Sequence, residues 1–287
     1  MSLHLELDRV SFRYDDFDPS ANPVLKQISL NLGHPECLAV LGPSGSGKTT
    51  LIQHFTGLLQ PSSGQVRADG RSIWDKGYPL VELRRRIGLV FQFPEMQLFE
   101  ETVYKDVAFG PRNLGYPASE VERRALEAMA AVDLDPELYS SRSPFHLSEG
   151  EKRRAAIAGV LAMGPEMVVF DEPTAGLDPK GVQLIQRIVR RLREEPQSVV
   201  LVTHHMDFVL ELADRAVVLV AGEMVFNGPP AELFRDRELL ERADLERPAF
   251  TTALDSLDLP FDSPLRKARR LRDFAALLGL PDPGEQA

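Results

Sequence analysis

Residues 38–50 read Leu38-Ala39-Val40-Leu41-Gly42-Pro43-Ser44-Gly45-Ser46-Gly47-Lys48-Thr49-Thr50. They form a short apolar run, a glycine-rich loop and the opening of a helix. The pattern G-x-x-x-x-G-K-[ST] stands in the strand–loop–helix setting that gives it meaning. Glycines let the backbone turn tightly and aim successive N–H groups inward, a nest for phosphate oxygens to which the helix adds the positive end of its dipole. Lys48 supplies a point charge for the outer phosphates, and the Thr49 hydroxyl is placed to ligate Mg²⁺. A Gly/Ser-rich surface turn would not need strand, glycines, lysine and threonine in one register. The stretch Gly42 to Thr50 is therefore expected to bind a nucleoside triphosphate within an α/β fold.

The 287 residues suffice for one large or two modest domains. A net charge of −10 argues against a general grip on nucleic acid, which would favour a basic face. Cys37 is the single cysteine, so no internal disulfide forms, and its apolar neighbours mark it as a small strand residue. The opening residues alternate like a strand rather than a signal peptide. No apolar run approaches the roughly 20 residues needed to span a bilayer. Work at a membrane would depend on another subunit.

Residues 3–14 alternate with a period of two, as in a half-buried strand, and end at Tyr14 before a polar turn. An aromatic there suits stacking on a nucleotide base, although strands commonly end in tyrosine. Residues 24–32 alternate again. After the loop, a helix is expected from Lys48 to Leu59, stopped by Gln60-Pro61-Ser62-Ser63-Gly64. Strands are expected at 65–68 and 71–74, a helix over 80–86, and a buried strand from Ile87 to Phe91 that ends at Gln92. From Phe93 to about residue 145 the texture is helical, with Val121, Ala125, Met129 and Val132 on one face. Ser148 and Glu151 have capping-box spacing, which makes Ser148 a helix N-cap. The apolar strand 167–171 delivers Asp171 and Glu172, helix 180–193 follows, and strand 198–203 ends in His204-His205. Strands 216–220 and 223–226 pair across Ala221-Gly222. Beyond about residue 243 the periodicity weakens, leaving one basic helix at about 264–279.

In an open, mostly parallel sheet, ligands sit at the carboxyl ends of the strands. Several expected strands end in chemistry here: Gly42 onward, Gln92, Asp171-Glu172 and His204. Each alone reads as surface charge, a solvated amide or a core histidine, but their joint placement points to phosphoryl transfer. That reaction needs Mg²⁺ held against the phosphates and a water in line with the γ-phosphorus. Asp171 can hold the metal, directly or through its water shell. Glu172 points elsewhere and can act as base or water orienter. His204 or Gln92 can contact the γ-phosphate or the attacking water.

With these residues in place, the sequence resembles the ATPase subunit of ATP-binding-cassette transporters over roughly residues 3–240. The matching stretches are Gly42–Thr50 (Walker A), Gln92 (Q-loop), Leu147-Ser148-Glu149-Gly150-Glu151 (signature), Val168–Glu172 (Walker B), Ala175-Gly176-Leu177-Asp178 (D-loop) and His204 (switch). The resemblance implies a P-loop ATPase fold at residues 3–243, with an N-terminal antiparallel β-subdomain, a RecA-like core and a helical subdomain inserted at about 93–160. A small extension, 244–287, follows. ATP and Mg²⁺ are the implied cofactors. Gly42, Pro43, Ser44, Gly45, Ser46, Gly47, Lys48, Thr49 and Thr50 would bind ATP, Tyr14 would stack on adenine, and Thr49, Gln92 and Asp171 would serve the metal. Glu172, His204 and Gln92 would be catalytic. In a head-to-tail dimer, Ser148 and Gly150 would reach the partner's γ-phosphate, and Asp178 would belong to the D-loop.

A narrower resemblance, to energy-coupling factor (ECF) transporter ATPases of the second type, rests on the run from Phe91 to Gly115, on Ala156–Met163 and on the C-terminal extension. It implies a pair of related ATPases (a homodimer being the alternative), a transmembrane coupling subunit, and small membrane proteins that capture a vitamin or metal ion. The chain would sit peripherally on the cytoplasmic face of the cell membrane, without nucleic acid. An importer with a dedicated soluble binding protein is the nearest alternative. A non-transport cassette ATPase acting on nucleic acid or the ribosome is the alternative of another class, which 287 residues with one of each motif do not favour, and a small-molecule kinase would not need the signature stretch. Three departures stand out: Glu149 replaces the signature's first glycine, Glu151 its glutamine, and His205 the acidic residue that often follows the switch histidine. Some of Glu95, Glu100, Glu101 and Asp106 are expected to accept arginines from the membrane partner, and the extension to hold the two ATPases together.

Overall fold

The computed structural model describes residues 3–14, 22–33, 35–257 and 271–279. Strand β1 (Leu5–Phe12) buries Leu5, Leu7, Val10 and Phe12, the period of two slipping by one residue at a bulge around Asp8-Arg9, and pairs antiparallel with β2 (Leu25–Leu32). After β3 (Cys37–Leu41) and α1 (Lys48–Phe55) the chain returns to this sheet as β4 (Ser63–Ala68) and the two-residue β5 (Arg71–Ser72), giving the order β2-β1-β4-β5. Helix α1 stops at Phe55, short of the expected Leu59, because Gly57 turns the backbone at φ 62°.

Helix α2 (Leu80–Arg86) leads directly into β6 (Ile87–Val90). A helical unit follows: a single 3₁₀ turn at Pro94–Gln97, then α3 (Val103–Asn113), α4 (Ala118–Ala131), α5 (Pro136–Tyr139) and α6 (Glu149–Leu161). The chain then re-enters the core through β7 (Met167–Asp171), α7 (Pro179–Leu192), β8 (Ser198–Val202), α8 (Met206–Leu212), β9 (Arg215–Val220) and β10 (Glu223–Gly228). The larger sheet has the order β10-β9-β3-β8-β7-β6, parallel except for β10 against β9.

Strands β3, β7 and β8 are buried at every position, the mark of parallel strands covered on both faces. Successive residues serve opposite sides. Cys37, Ala39 and Leu41 join one apolar cluster with Val168 and Phe170, whereas Leu38 and Val40 join the other with Met167 and Val169. The first cluster extends into the helical unit through Val107, Ala125, Met129 and Ile157.

The chain continues through α9 (Pro230–Leu233), α10 (Arg237–Arg242), α11 (Ala249–Ser256) and α12 (Leu271–Leu277). The Asp207 carboxylate receives the N–H groups of Ala249 and Phe250, both at 3.2 Å, and so anchors α11 close to the end of β8. Phe250 and Phe274 meet edge to face at 6.0 Å. Of the expected basic helix at 264–279, residues 264–270 lie outside the described residues, and 271–277 are helical.

Candidate ATP site

The loop after β3 is built for glycine at two points. Gly42 has φ 136°, and a Cβ there would sit 2.0 Å from the Leu219 carbonyl oxygen. Gly47 has φ 103°, and a Cβ would meet the Val24 oxygen and Leu25 Cδ2 at 2.9 Å. Both conformations are strained for other residues. Between them Ser46 is buried, and its hydroxyl has no hydrogen-bond partner among the described residues. A buried hydroxyl without a partner is costly, and its place in the loop suits an oxygen-rich ligand.

Lys48 Nζ folds back over the loop and donates to the carbonyls of Gly42 (2.8 Å) and Pro43 (2.9 Å). Burial pushes its pKa down; the nearby charges of Glu172 and Asp171 oppose that shift without cancelling it. The Thr49 hydroxyl donates to Asp171 Oδ2 at 3.1 Å. Asp171 is itself buried, and burial pushes its pKa up; the Thr49 hydrogen bond opposes the shift, Glu172 adds to it, and Lys48 opposes it. A buried carboxylate short of positive charge, with a hydroxyl beside it, is a donor set that fits a hard divalent cation.

Three neighbouring strands deliver the next group. Gln92 follows β6, Glu172 follows β7 and His204 follows β8. Glu172 Oε1 lies 3.0 Å from His204 Nε2, and Oε2 accepts from Gln92 Nε2 at 3.4 Å. The Glu172 backbone has φ 48°, and its N–H donates to the Val202 oxygen at 2.9 Å. That left-handed turn costs a non-glycine residue about 1–2 kcal/mol, and it separates the directions of two successive carboxylates. Asp171 thereby meets Thr49 while Glu172 meets Gln92 and His204.

Tyr14 is 68 % exposed. Its phenol pairs with the Thr50 hydroxyl at 3.0 Å, and its ring stands edge to face with Phe12 at 5.0 Å. The structure thus gives the Thr50 hydroxyl to Tyr14, a tie that spacing alone did not reveal. Pro43, Ser44 and Gly45 complete the loop; a Cβ on Gly45 would meet nothing within 4 Å.

The signature stretch opens α6. Ser148 is its N-cap in a complete capping box: Ser148 N–H donates to Glu151 Oε2 at 2.8 Å, and Glu151 N–H donates to Ser148 Oγ at 3.4 Å. Tyr139 also donates to Glu151, at 2.7 Å. The glutamate in place of glutamine is therefore a well-served cap, and hydrogen bonds from Ser148 and Tyr139 hold its pKa down at about 2. Glu149 points outward, 72 % exposed at the side chain, and pairs with Lys152 at 2.8 Å. A Cβ on Gly150 would meet nothing within 4 Å. None of the hydrogen bonds among the described residues joins Ser148 or Gly150 to the phosphate loop. Asp178 is the N-cap of α7, accepting from Gly181 N–H at 2.8 Å.

Two of the acidic residues beyond Gln92, Glu95 and Asp106, are engaged inside the chain and cannot face a partner. Glu95 is turned inward, paired bidentately with the buried Arg153. Asp106 is buried and accepts the N–H groups of Phe99 and Glu100. Glu100 pairs with Arg112 at 3.2 Å and Glu101 with Lys105 at 2.5 Å; only Glu101 presents most of its side chain to solvent. The position of Arg153, 58 residues from its partner, carries no signal in local pattern.

The ABC transporter family model matches residues 25–175. An energy-coupling factor transporter ATP-binding protein EcfA2 of Caldanaerobacter subterraneus is 45 % identical over 249 residues, covering 86 % of this chain and 87 % of that protein. Its counterpart in Symbiobacterium thermophilum is 48 % identical over 250 residues, with 87 % and 86 % covered. Among solved structures, cbiO1 of Clostridium perfringens, described as part of the ABC transporter complex cbiONQ, superposes with a TM-score of 0.74. It has 35 % identity, and the match covers 89 % of this chain and all of that one. The chain belongs to the ABC transporter ATPases, and within them to the energy-coupling factor ATP-binding proteins.

Proposed function

We propose that this chain hydrolyses ATP at the cytoplasmic face of the membrane to power uptake of a vitamin or metal ion through a transmembrane coupling subunit. One observation carries the chemistry: the Glu172 carboxylate is held between Gln92 and His204 at the ends of three adjacent strands. In this reading the loop 42–50 and Lys48 bind the phosphates, and Tyr14 stacks on the base. Glu172 takes the proton of a water as its oxygen bonds to the γ-phosphorus and the bond to ADP breaks. His204 and Gln92 hold the carboxylate in place for that transfer. Thr49 and Asp171, with Gln92, would hold Mg²⁺, which neutralises phosphate charge when bound.

The signature of one subunit would complete the site of another. Gly150 is compatible with this: a Cβ there would meet nothing within 4 Å among the described residues, which leaves room for a partner's phosphate. The partner ATPase is proposed to be a related chain, with residues 244–287 helping to hold the pair. The surface after Gln92 fits the membrane partner, since Phe93, Met96 and Phe99 are exposed beside Glu101. Among the described residues no helix is long and apolar enough to cross a membrane, so attachment in this reading rests on that surface.

The test is to purify the tagged chain from detergent-solubilised membranes of its own organism. Recovery with a second related ATPase, a coupling subunit and small substrate-capture proteins supports the proposal. Recovery with one dedicated permease pair, or with nucleic acid and no membrane protein, overturns the transport part while leaving the ATPase.

A further inference from the structure

Arg153 sits on α6, five residues beyond the N-cap Ser148, and is 4 % exposed. Its guanidinium spends four donor contacts on two other parts of the molecule. Nε and Nη2 grip the Glu95 carboxylate at 3.1 and 3.0 Å. Nη1 donates to the carbonyls of Pro173 and Ala175 at 3.1 and 2.8 Å. The guanidinium also lies 5.9 Å from the ring centre of Phe93, over its face.

Each partner has a neighbour that matters. Phe93 and Glu95 follow Gln92 directly and belong to the turn that exposes Met96. Pro173 and Ala175 follow Glu172 directly and lead to the cap Asp178. Arg153 itself rides on the helix whose N-terminus presents Ser148 and Gly150. One buried side chain therefore joins the apolar surface turn, the loop that carries Glu172 and the signature helix.

The chemistry is specific to arginine. A planar guanidinium can offer two parallel donors to a carboxylate and another to carbonyls at its far edge. Lysine has no such fork. Glu95 and Arg153 are both nearly fully buried, so separating either from the other strands a charge away from water. The pair therefore moves together or costs several hydrogen bonds at once. Few loops tied this way can shift alone.

We infer that Arg153 is a positioning residue that makes the 93–99 turn, the loop after Glu172 and the N-terminus of α6 move as one unit, so that nucleotide at the cradle is felt at the apolar surface turn. This rests on the reading that ATP occupies the cradle and that the turn faces the membrane partner.

The test uses the full chain with the non-hydrolysable imido analogue of ATP and Mg²⁺, and follows amide hydrogen exchange. In the wild type, the analogue is expected to slow exchange over residues 95–99 by about fivefold or more, the lower end of ordinary coupling between sites. In Glu95→Gln and Arg153→Lys, that slowing should be largely lost while analogue affinity, read by calorimetry, stays near the wild-type value. Glu95→Gln keeps shape and one acceptor, so it reports even where Arg153→Lys folds poorly. The inference is overturned if the wild type shows no slowing over 95–99, if either variant keeps it, or if affinity and slowing fall together. Because no membrane partner is present, failure here is separate from failure of the transport reading, and calorimetry shows independently whether the cradle binds nucleotide.

Discussion

His204 Nε2 lies 3.0 Å from Glu172 Oε1, which ties the end of β8 to the carboxylate at the end of β7. The ring touches the Glu172 carboxylate, the proposed base, rather than the phosphate loop, so its loss should affect turnover more than binding. Glu172→Gln keeps the hydrogen-bonding shape but removes the proton acceptor. We expect kcat to fall about 10²–10⁴-fold, the usual contribution of a general base, with ATP affinity retained. His204→Ala should also lower kcat at nearly constant KM. Steady-state ATPase assays check both; a rise in KM without loss of kcat in Glu172→Gln would move the base elsewhere.

The proposed stacking role of Tyr14 would separate base recognition from phosphate recognition. Stacking of a base on an aromatic ring is worth about 1–3 kcal/mol by alanine substitution, so Tyr14→Ala should weaken ATP binding by about 5–150-fold. Tyr14→Phe loses only the link to Thr50 and should cost much less. Inorganic triphosphate should bind Tyr14→Ala and wild type alike. Equal weakening for both ligands, measured by calorimetry, would show that the ring supports the loop rather than the base.

Two glycines should fail in opposite ways. Gly47→Ala forces a Cβ into the Val24 carbonyl at φ 103° and should destabilise the fold by about 1–3 kcal/mol. Gly150→Ala meets open space and improves helix propensity by up to about 1 kcal/mol, so its melting temperature should not fall. Its ATP-dependent dimerisation should nonetheless be lost. Calorimetric melting and sedimentation with ATP measure the pair, and a Gly150→Ala chain that still dimerises would remove the signature from the partner's site.

Acid should reveal the Glu151 cap. Its carboxyl is held at about 2 in the folded chain, against an ordinary value of 4.5. A depressed folded pKa contributes stability that is fully present above the unfolded value and is lost as pH falls from about 4.5 towards about 2. Glu151→Gln cannot titrate, so the stability difference between it and wild type should change across that window and stay flat above it. Glu151→Ala should cost about 1 kcal/mol at neutral pH, the usual net worth of a hydrogen bond, since Ser148 keeps its own cap bond to the helix. Denaturant titrations at several pH values test both.

Much of this was legible in the chain because periodicity and turn chemistry are local. Alternation marked β1 and β2, unbroken apolar runs marked β3, β7 and β8, and Ser148 to Glu151 marked the start of α6. Helix α8 was not anticipated, since its seven residues are too few to show a helical period against the buried strand before it. Ion pairs were also out of reach. Glu95 reads as a surface acid until Arg153, far along the chain, is folded against it. The outward turn of Glu149 likewise depends on Lys152, one helical turn away, rather than on its own type.

The alternation of the two apolar clusters along each buried strand makes the large sheet a ruler. Asp171 stands opposite Val202 in the β7–β8 register, directly after Phe170 on one face and Val169 on the other. A slip of one residue would exchange the faces of β7 and displace the carboxylate by about 3.3 Å along the strand. Both cores would then be wrong at once. The spacing of the site's side chains is thus indexed in whole residues, and the two cores together reject every odd-numbered slip.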